Sequence, residues 1–106
     1  MSNILVNAPK TAKRGEVVEI KALIMHPMET GFRPGPNGRI IPRNIIERFT
    51  ATWNGAEIFA MDLSPAIAAN PFVSFFARAN ASGAVVLRWT GDEGFAAEHR
   101  VDIAVE

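Results

Sequence analysis

Residues 45–63 read IIERFTATWNGAEIFAMDL and carry the clearest structural pattern in the chain. Apolar residues recur at every second position, which is the period of a half-buried β-strand. The Asn54-Gly55 step between the two halves is a strong hairpin signal, because both central residues of a type I′ turn need a positive φ. The stretch therefore predicts two antiparallel strands whose inward side chains are Phe49, Ala51 and Trp53, then Phe59, Met61 and Leu63.

Five further segments also have strand character: residues 4–6, 16–25, 72–79, 84–90 and 95–105. Turn residues separate them at a spacing of roughly 8–12 residues, which is typical of a sandwich or barrel. Without an amphipathic helix to cover a sheet, two sheets must cover each other. We therefore predict an all-β fold, an immunoglobulin-like β-sandwich of about seven strands, with residues 1–106 forming a single domain.

The connection between the second and third predicted strands, residues 26–44 (HPMETGFRPGPNGRIIPRN), is unusual. It holds four of the seven prolines and three of the eight glycines, without a periodic pattern. Unstructured connections longer than about 12–15 residues are uncommon in compact domains and are usually functional or disordered. Its apolar residues, which include Met28 and Phe32, are not typical of a disordered linker. We predict a stiffened surface loop that is held against a ligand or another protein.

Composition excludes several classes of function. The eleven basic and eleven acidic residues cancel, so nucleic-acid binding and polybasic docking to a membrane are not expected. No apolar run reaches the roughly 20 residues that a membrane-spanning helix needs. The chain has no cysteine, which excludes disulfides, thiolate metal sites and a cysteine nucleophile. Residues 1–15 show no signal-peptide pattern.

The remaining candidates for chemistry are few. Two histidines are present, and His26, Glu29 and His99 are the side chains that a small-ligand or metal site would use. The alternative for His26 is a structural residue at a strand end that hydrogen-bonds nearby backbone. His99 is in register with the inward residues of the last strand, which favours partial burial. No serine lies in a recognisable catalytic turn, and we expect no catalytic, cofactor or metal-binding residue.

Residues 72–76 contain three phenylalanines, which cannot all lie on one face of a strand. Phe75 and Phe76 are adjacent, so their side chains point to opposite faces of a sheet. One of them therefore faces the core, and the other faces water, a covering loop or a protein partner. Aromatic side chains are enriched at protein interfaces, so contact with a protein partner is one possible role of the outward ring.

Several motifs resemble the SoxZ family. They are residues 26–33 (HPMETGFR), 37–39 (NGR), 41–46 (IPRNII) with Phe49, 53–55 (WNG), 65–71 (PAIAANP) and Trp89-Thr90. These motifs extend over nearly the whole chain. The resemblance implies the small subunit of the SoxYZ sulfur carrier of bacterial thiosulfate oxidation, with an immunoglobulin-like sandwich and no catalytic residue of its own.

The resemblance also implies a partner and a location. The partner is a SoxY-like subunit that ends in a Gly-Gly-Cys-Gly-Gly arm, whose cysteine carries sulfur intermediates, and other Sox enzymes are contacted transiently. We expect the pair to be exported to the periplasm together, on the signal of the Y subunit. The residues that we expect in the interface with this partner are His26, Met28, Phe32, Phe72, Phe75 and Phe76.

Two other functions stay open on the sequence alone. One is a small-ligand or metal-binding sandwich that uses His26, Glu29 and His99. The other is a stand-alone accessory domain whose long loop binds an unrelated protein. A neighbouring subunit with a glycine-flanked cysteine favours the carrier, and metal in the purified protein favours the first alternative.

Overall fold

A computed structural model describes residues 3–106 and contains eight strands within that range. They are β1 (Ile4–Asn7), β2 (Thr11–Ala12), β3 (Val17–Ile24), β4 (Ile46–Trp53), β5 (Ala56–Asp62), β6 (Phe72–Arg78), β7 (Gly83–Gly91) and β8 (Ala96–Val105). The seven predicted strands are all present, each end within one residue of its predicted position. The additional strand, β2, is only two residues long, which is too short for any alternation to reveal it.

The strands form two sheets that pack face to face. One sheet has the order β1-β3-β6, and the other has the order β2-β8-β7-β4-β5. All neighbours are antiparallel except β2, which runs parallel to β8. The all-β sandwich is thus confirmed. Among residues 3–106 no helix is long and apolar enough to cross a membrane.

The core between the sheets is built around aromatic rings. The ring of Phe49 on β4 lies 5.0 Å from Trp89 on β7 and 6.0 Å from Phe75 on β6. Phe59 on β5 stacks on Phe75 at 4.8 Å, with the ring planes only 9° apart. Phe75 thus joins β6 of the smaller sheet to β4 and β5 of the larger one, and Phe49 extends the cluster to Trp89 on β7, so the cluster holds the two layers together.

The hairpin between β4 and β5 has the predicted turn. Asn54 has φ 52° and Gly55 has φ 86°, which fits a type I′ turn. The Asn54 side chain accepts a hydrogen bond from the Ala84 amide at 3.2 Å and donates one to the Ser82 carbonyl at 3.1 Å. The turn is thereby fixed to the start of β7, and this fixes the register of the larger sheet.

We predict that Gly55→Val lowers the free energy of unfolding by about 1 kcal/mol or more, because a β-branched residue is strained at positive φ. For a domain of this size that is a fall of roughly 4–8 °C in the melting midpoint. Ala56→Val is the matched control, since it adds the same side chain at an exposed position within β5, where valine is favourable. Equal midpoints for Gly55→Val and the wild type would contradict the assigned turn.

Candidate partner interface

The outer face of the three-stranded sheet is unusually apolar. Leu5 on β1, Leu23 on β3 and Phe72 on β6 are direct cross-strand neighbours and form a row across the sheet. Leu5 is 69% exposed and Phe72 is 60% exposed. Phe76, four residues further along β6 and on the same face, is 65% exposed. We call these four residues the apolar face, and a shallow groove of about 270 Å³ lies along its Leu5–Phe72 row.

Some polar groups interrupt this face. Glu19 on β3 is the cross-strand neighbour of Phe76, and its carboxylate accepts a hydrogen bond from the Ser74 hydroxyl at 2.7 Å. Lys21 lies beside it, with its amine 3.8 Å from the carboxylate. The apolar face is therefore divided into a leucine–phenylalanine row and the Phe76 ring, with a small hydrogen-bonded patch between them.

The outer face of the five-stranded sheet has the opposite character. It is covered by exposed ion pairs, which are Arg48–Asp62 at 2.7 Å, Arg88–Glu98 at 2.6 Å and Arg100–Asp102 at 3.1 Å. Exposed pairs of this kind contribute little to stability, about 0–1 kcal/mol each. They keep that face hydrated, whereas the apolar face leaves large hydrophobic side chains in water.

Only half of the residues predicted for the partner interface are exposed. Phe32, Phe72 and Phe76 are accessible, whereas His26, Met28 and Phe75 are at most 5% exposed. This corrects the expectation that these three could offer their side chains to a partner. Phe75 faces inward because it pairs with Ile20 of β3 on the core side. His26 and Met28 are buried because the chain turns inward at the base of the long loop.

Residues 26–44, which we call the arm, form an irregular two-stranded projection rather than an open loop. Glu29 and Asn44 exchange backbone hydrogen bonds of 2.8 and 2.9 Å, and Pro34 bridges Ile40 further out. The molecule measures 58 × 24 × 20 Å. Because β8, its longest strand, spans roughly 33 Å at about 3.3 Å per residue, the arm accounts for much of the greater length. The prediction of a stiff, ordered loop fits this geometry.

A buried hydrogen-bond set centred on His26 holds the base of the arm. The His26 amide donates to the Asn70 side-chain oxygen at 2.9 Å, and the Asn70 amide donates to the His26 carbonyl at 2.8 Å. The imidazole Nδ1 accepts from the Met28 amide at 3.0 Å, and the ring meets Phe95 edge-on at 4.9 Å. His26 is thus a structural residue, which was one of the two interpretations that the sequence allowed.

Met28 and Asp92 complete this base. Met28 has φ 49°, and its sulfur accepts a hydrogen bond from the buried Ile46 amide at 3.3 Å. The Asp92 carboxylate accepts two bonds from the Arg43 guanidinium, at 2.9 and 2.7 Å, and one from the Ile45 amide at 3.1 Å. The sequence analysis did not find this role of Asp92, because no local pattern links it to Arg43, 49 positions earlier.

Protonation equilibria at the base follow from these contacts. Burial lowers the pKa of His26 below its ordinary value of 6.5, and the hydrogen bond with Asn44 and the charge of Asp92 oppose that shift. The hydrogen bonds from Arg43 and then from the Ile45 amide lower the pKa of Asp92. In the same way, the hydrogen bonds from Arg33 lower the pKa of Glu29. The geometry agrees with these directions, since the Nδ1 of His26 accepts a hydrogen bond and both carboxylates accept hydrogen bonds from arginine.

The residues of the metal or small-ligand alternative do not form a site. Glu29 is engaged by Arg33, and the Nδ1 of His26 is engaged by the Met28 amide. His99 is half-buried on β8 opposite Leu87, as its register predicted. In the part of the chain that the structure describes, no three His, Cys, Asp or Glu side chains are grouped closely enough to hold a metal ion.

We predict a loss of stability at mildly acidic pH that depends on His26. Because its pKa is lowered in the folded state, the stabilisation is fully present above about 6.5 and is lost as the pH falls through the folded-state pKa. His26→Asn keeps an oxygen that can accept the Met28 amide two residues on, but it cannot titrate. Urea unfolding between pH 7.5 and 5 should therefore show a smaller loss for His26→Asn than for the wild type.

His99→Gln is the control for this measurement, since it removes the other histidine and leaves the contacts of His26 in place. Asp92 and Glu29 do not interfere, because their stabilisation is lost only below their ordinary pKa values of 3.8 and 4.5. Identical pH profiles for wild type and His26→Asn would show that the imidazole does not titrate with unfolding.

Comparison with solved structures identifies proteins that have a similar fold. Superoxide reductase (neelaredoxin) from Ignicoccus hospitalis matches with a TM-score of 0.75 and 17% identity, over 98% of this chain and 80% of that one. The sulfur carrier protein SoxY from Chlorobium limicola f thiosulfatophilum matches with a TM-score of 0.69 and 16% identity, over 100% of this chain and 81% of that one. At such identities the similarity concerns the fold alone.

Comparison of sequences is more specific. No curated protein sequence matches this chain. The family model described as sulphur oxidation protein SoxZ, however, matches residues 6–102, which include at least part of every strand and the whole arm. This chain therefore belongs to the SoxZ family of sulphur oxidation proteins.

Proposed function

We propose that this chain is the non-catalytic subunit of a SoxYZ heterodimer, in which it stabilises the Y subunit. The Y subunit's C-terminal cysteine arm carries the sulfur intermediates of thiosulfate oxidation, and both subunits work in the periplasm after joint export. Membership of the SoxZ family supports involvement in the Sox system. The observation that carries the proposal is the apolar face, because it is a large hydrophobic surface that a partner would cover.

The energetic case rests on the exposed rings of β6. Fully burying a phenylalanine side chain contributes roughly 1.5–3 kcal/mol, and Phe72 and Phe76 leave much of that gain unused in the isolated chain. The flanking leucines, Leu5 and Leu23, extend the surface across all three strands of the sheet. Exposed apolar patches with a polar rim are typical of protein interaction sites. Here Arg78 lies at the rim, and Glu19 and Lys21 form the polar patch within the face.

A sheet face suits a partner of the same architecture. SoxY from C. limicola matches this chain along its whole length, so a SoxY-like partner also offers sheet faces of similar size. Two sheets that pack face to face bury alternate residues of each strand, which is how the apolar face is arranged. The hydrated outer face of the five-stranded sheet would remain in water in such a pair.

The absence of cysteine from this chain determines which subunit carries sulfur in the proposed complex. Sulfur intermediates are carried covalently on a thiolate, and this chain contains no cysteine. The reactive group must therefore belong to the partner. In this proposal the present chain contributes a binding surface and stability to the complex, and it takes no part in bond making or breaking.

We predict that Phe72→Ala combined with Phe76→Ala weakens binding to the Y subunit by roughly tenfold or more, since two interface aromatics would be lost. The chain itself should stay folded, because both rings are mostly outside its core. Phe32→Ala is the matched control: this exposed phenylalanine, which the sequence led us to expect at the interface, lies on the arm and outside the apolar face. Titration calorimetry gives the affinity and thermal melting gives the fold. Unchanged affinity in the double variant would place the interface elsewhere.

A separate prediction concerns activity. The purified chain alone should neither oxidise thiosulfate nor accept sulfur from it, because it has no thiol. Mass spectrometry after incubation with thiosulfate and an oxidising Sox extract should find no sulfur adduct on this chain. Sulfur bound covalently to it, or turnover by it without a cysteine-bearing partner, would contradict a non-catalytic role.

A further inference from the structure

The arm presents a second exposed surface, separate from the apolar face. Phe32 is 81% exposed and Ile40 is 56% exposed. They lie on opposite strands of the projection, beyond the Glu29–Asn44 bridge: Ile40 forms the outer bridge with Pro34, and Phe32 lies between the two bridges. A shallow groove of about 350 Å³ runs along the arm's outer residues, from Gly35 to Pro42.

The base of the arm lies between the two layers: the bonds between His26 and Asn70 tie it to the connection before β6, and two further contacts tie it to the five-stranded sheet. Its ion pair joins Arg43 to Asp92, in the turn between β7 and β8 of the five-stranded sheet. Its imidazole contact joins His26 to Phe95 in the same connection. Phe72 and Phe76, by contrast, point outward from the three-stranded sheet. A protein that lies flat on the apolar face therefore leaves the arm available for another contact.

The arm also differs in charge from the rest of the chain. Residues 30–42 contain two arginines and no acidic residue, although the whole chain has a net charge of zero. Arg33 is paired with Glu29 at the base. Arg39 has no ion pair within residues 3–106. An exposed arginine beside exposed apolar side chains is a combination that is enriched in protein interfaces.

The arm is ordered before it meets a partner. Pro34, Pro36 and Pro42 restrict φ along it, and cross-strand bonds join Ile41 to Arg33 at 2.9 Å and Gly35 to Arg39 at 2.6 Å. A projection that is already held in one conformation loses less entropy on binding. This favours a docking element over a linker.

We propose that the arm docks, through Phe32, Ile40 and Arg39, into an apolar pocket bordered by carboxylates on a second protein, distinct from the one that covers the apolar face. The inference rests on the proposed function for the identity of the first partner. The contact is small, since residues 30–42 supply 13 positions, whereas a stable interface uses about 20–30 residues a side. A small contact is weak and short-lived, which suits successive encounters of a carrier.

The charge of the arm favours a protein as its partner over a membrane or a nucleic acid. Membrane docking by charge takes clusters of about four to eight basic residues, and nucleic-acid binding needs many phosphate contacts. Two arginines, one of them already paired, fall short of either. Docking into a protein pocket bordered by carboxylates accounts for the exposed Phe32 and Ile40 side chains and for the Arg39 charge that has no ion pair in the described residues.

The test uses the two-subunit complex, titrated into a periplasmic extract from a strain that lacks both subunits, with thiosulfate consumption as the readout. The variant Phe32→Ser with Ile40→Ser should raise the half-saturating concentration of complex by roughly tenfold, with the maximal rate unchanged. Arg39→Glu should act in the same direction, and added salt should weaken the wild type more than this variant. Arg100→Glu, a charge reversal on the outer face of the five-stranded sheet, is the matched control and should have no effect.

Three results would overturn the proposal. The first is an unchanged half-saturating concentration in both arm variants. The second is a loss of subunit assembly in these variants, which would assign the arm to the first interface. The third is reduced sedimentation of the variants with phosphatidylglycerol–phosphatidylethanolamine vesicles and no change in the half-saturating concentration, which would indicate a lipid surface. Failure of the proposed function differs from all three, because the wild-type chain itself would then not assemble with Y.

Discussion

The packing of two sheets around the Phe49 ring is the constraint on which the rest of the molecule depends. Without a helix to cover either sheet, each inner face must bury the other, and the Phe49, Phe59, Phe75 and Trp89 rings meet where the layers join. Each strand then turns its alternate residues outward. The outer face of the larger sheet is charged and hydrated, and the outer face of the smaller sheet is apolar, so the sandwich leaves one side that a partner can cover.

The arm depends on a different kind of stabilisation. Its base is held mainly by buried hydrogen bonds and by ion pairs rather than by a continuous strand ladder, because a chain that leaves one sheet and enters the other cannot continue either ladder there. The His26 imidazole and the Met28 sulfur each accept a backbone amide that burial would otherwise leave unpaired. This anchoring lets the outer residues of the arm stay exposed and still keep one shape, as a docking element requires.

The sequence predicted the strands and the sandwich well, because both depend on local alternation and turn chemistry. It also contained an unused signal for the apolar face. Phe76 lies an even number of residues from Ser74 and Arg78 on β6, so it points outward with them. Leu23 in the same way shares the outer face of β3 with Glu19 and Lys21. The sequence could not show that His26 and Met28 are buried. That outcome depends on the left-handed turn at Met28 and on Asn70 and Asp92, which are distant in the chain.

The central claim is that the SoxY-like partner covers the apolar face. Hydroxyl-radical footprinting of the isolated chain and of the two-subunit complex, read residue by residue by mass spectrometry, tests it most directly. The account predicts that oxidation of Phe72 and Phe76 slows severalfold in the complex, while Phe32 on the arm stays as reactive as before. Equal oxidation of Phe72 and Phe76 in the isolated chain and in the complex would contradict it.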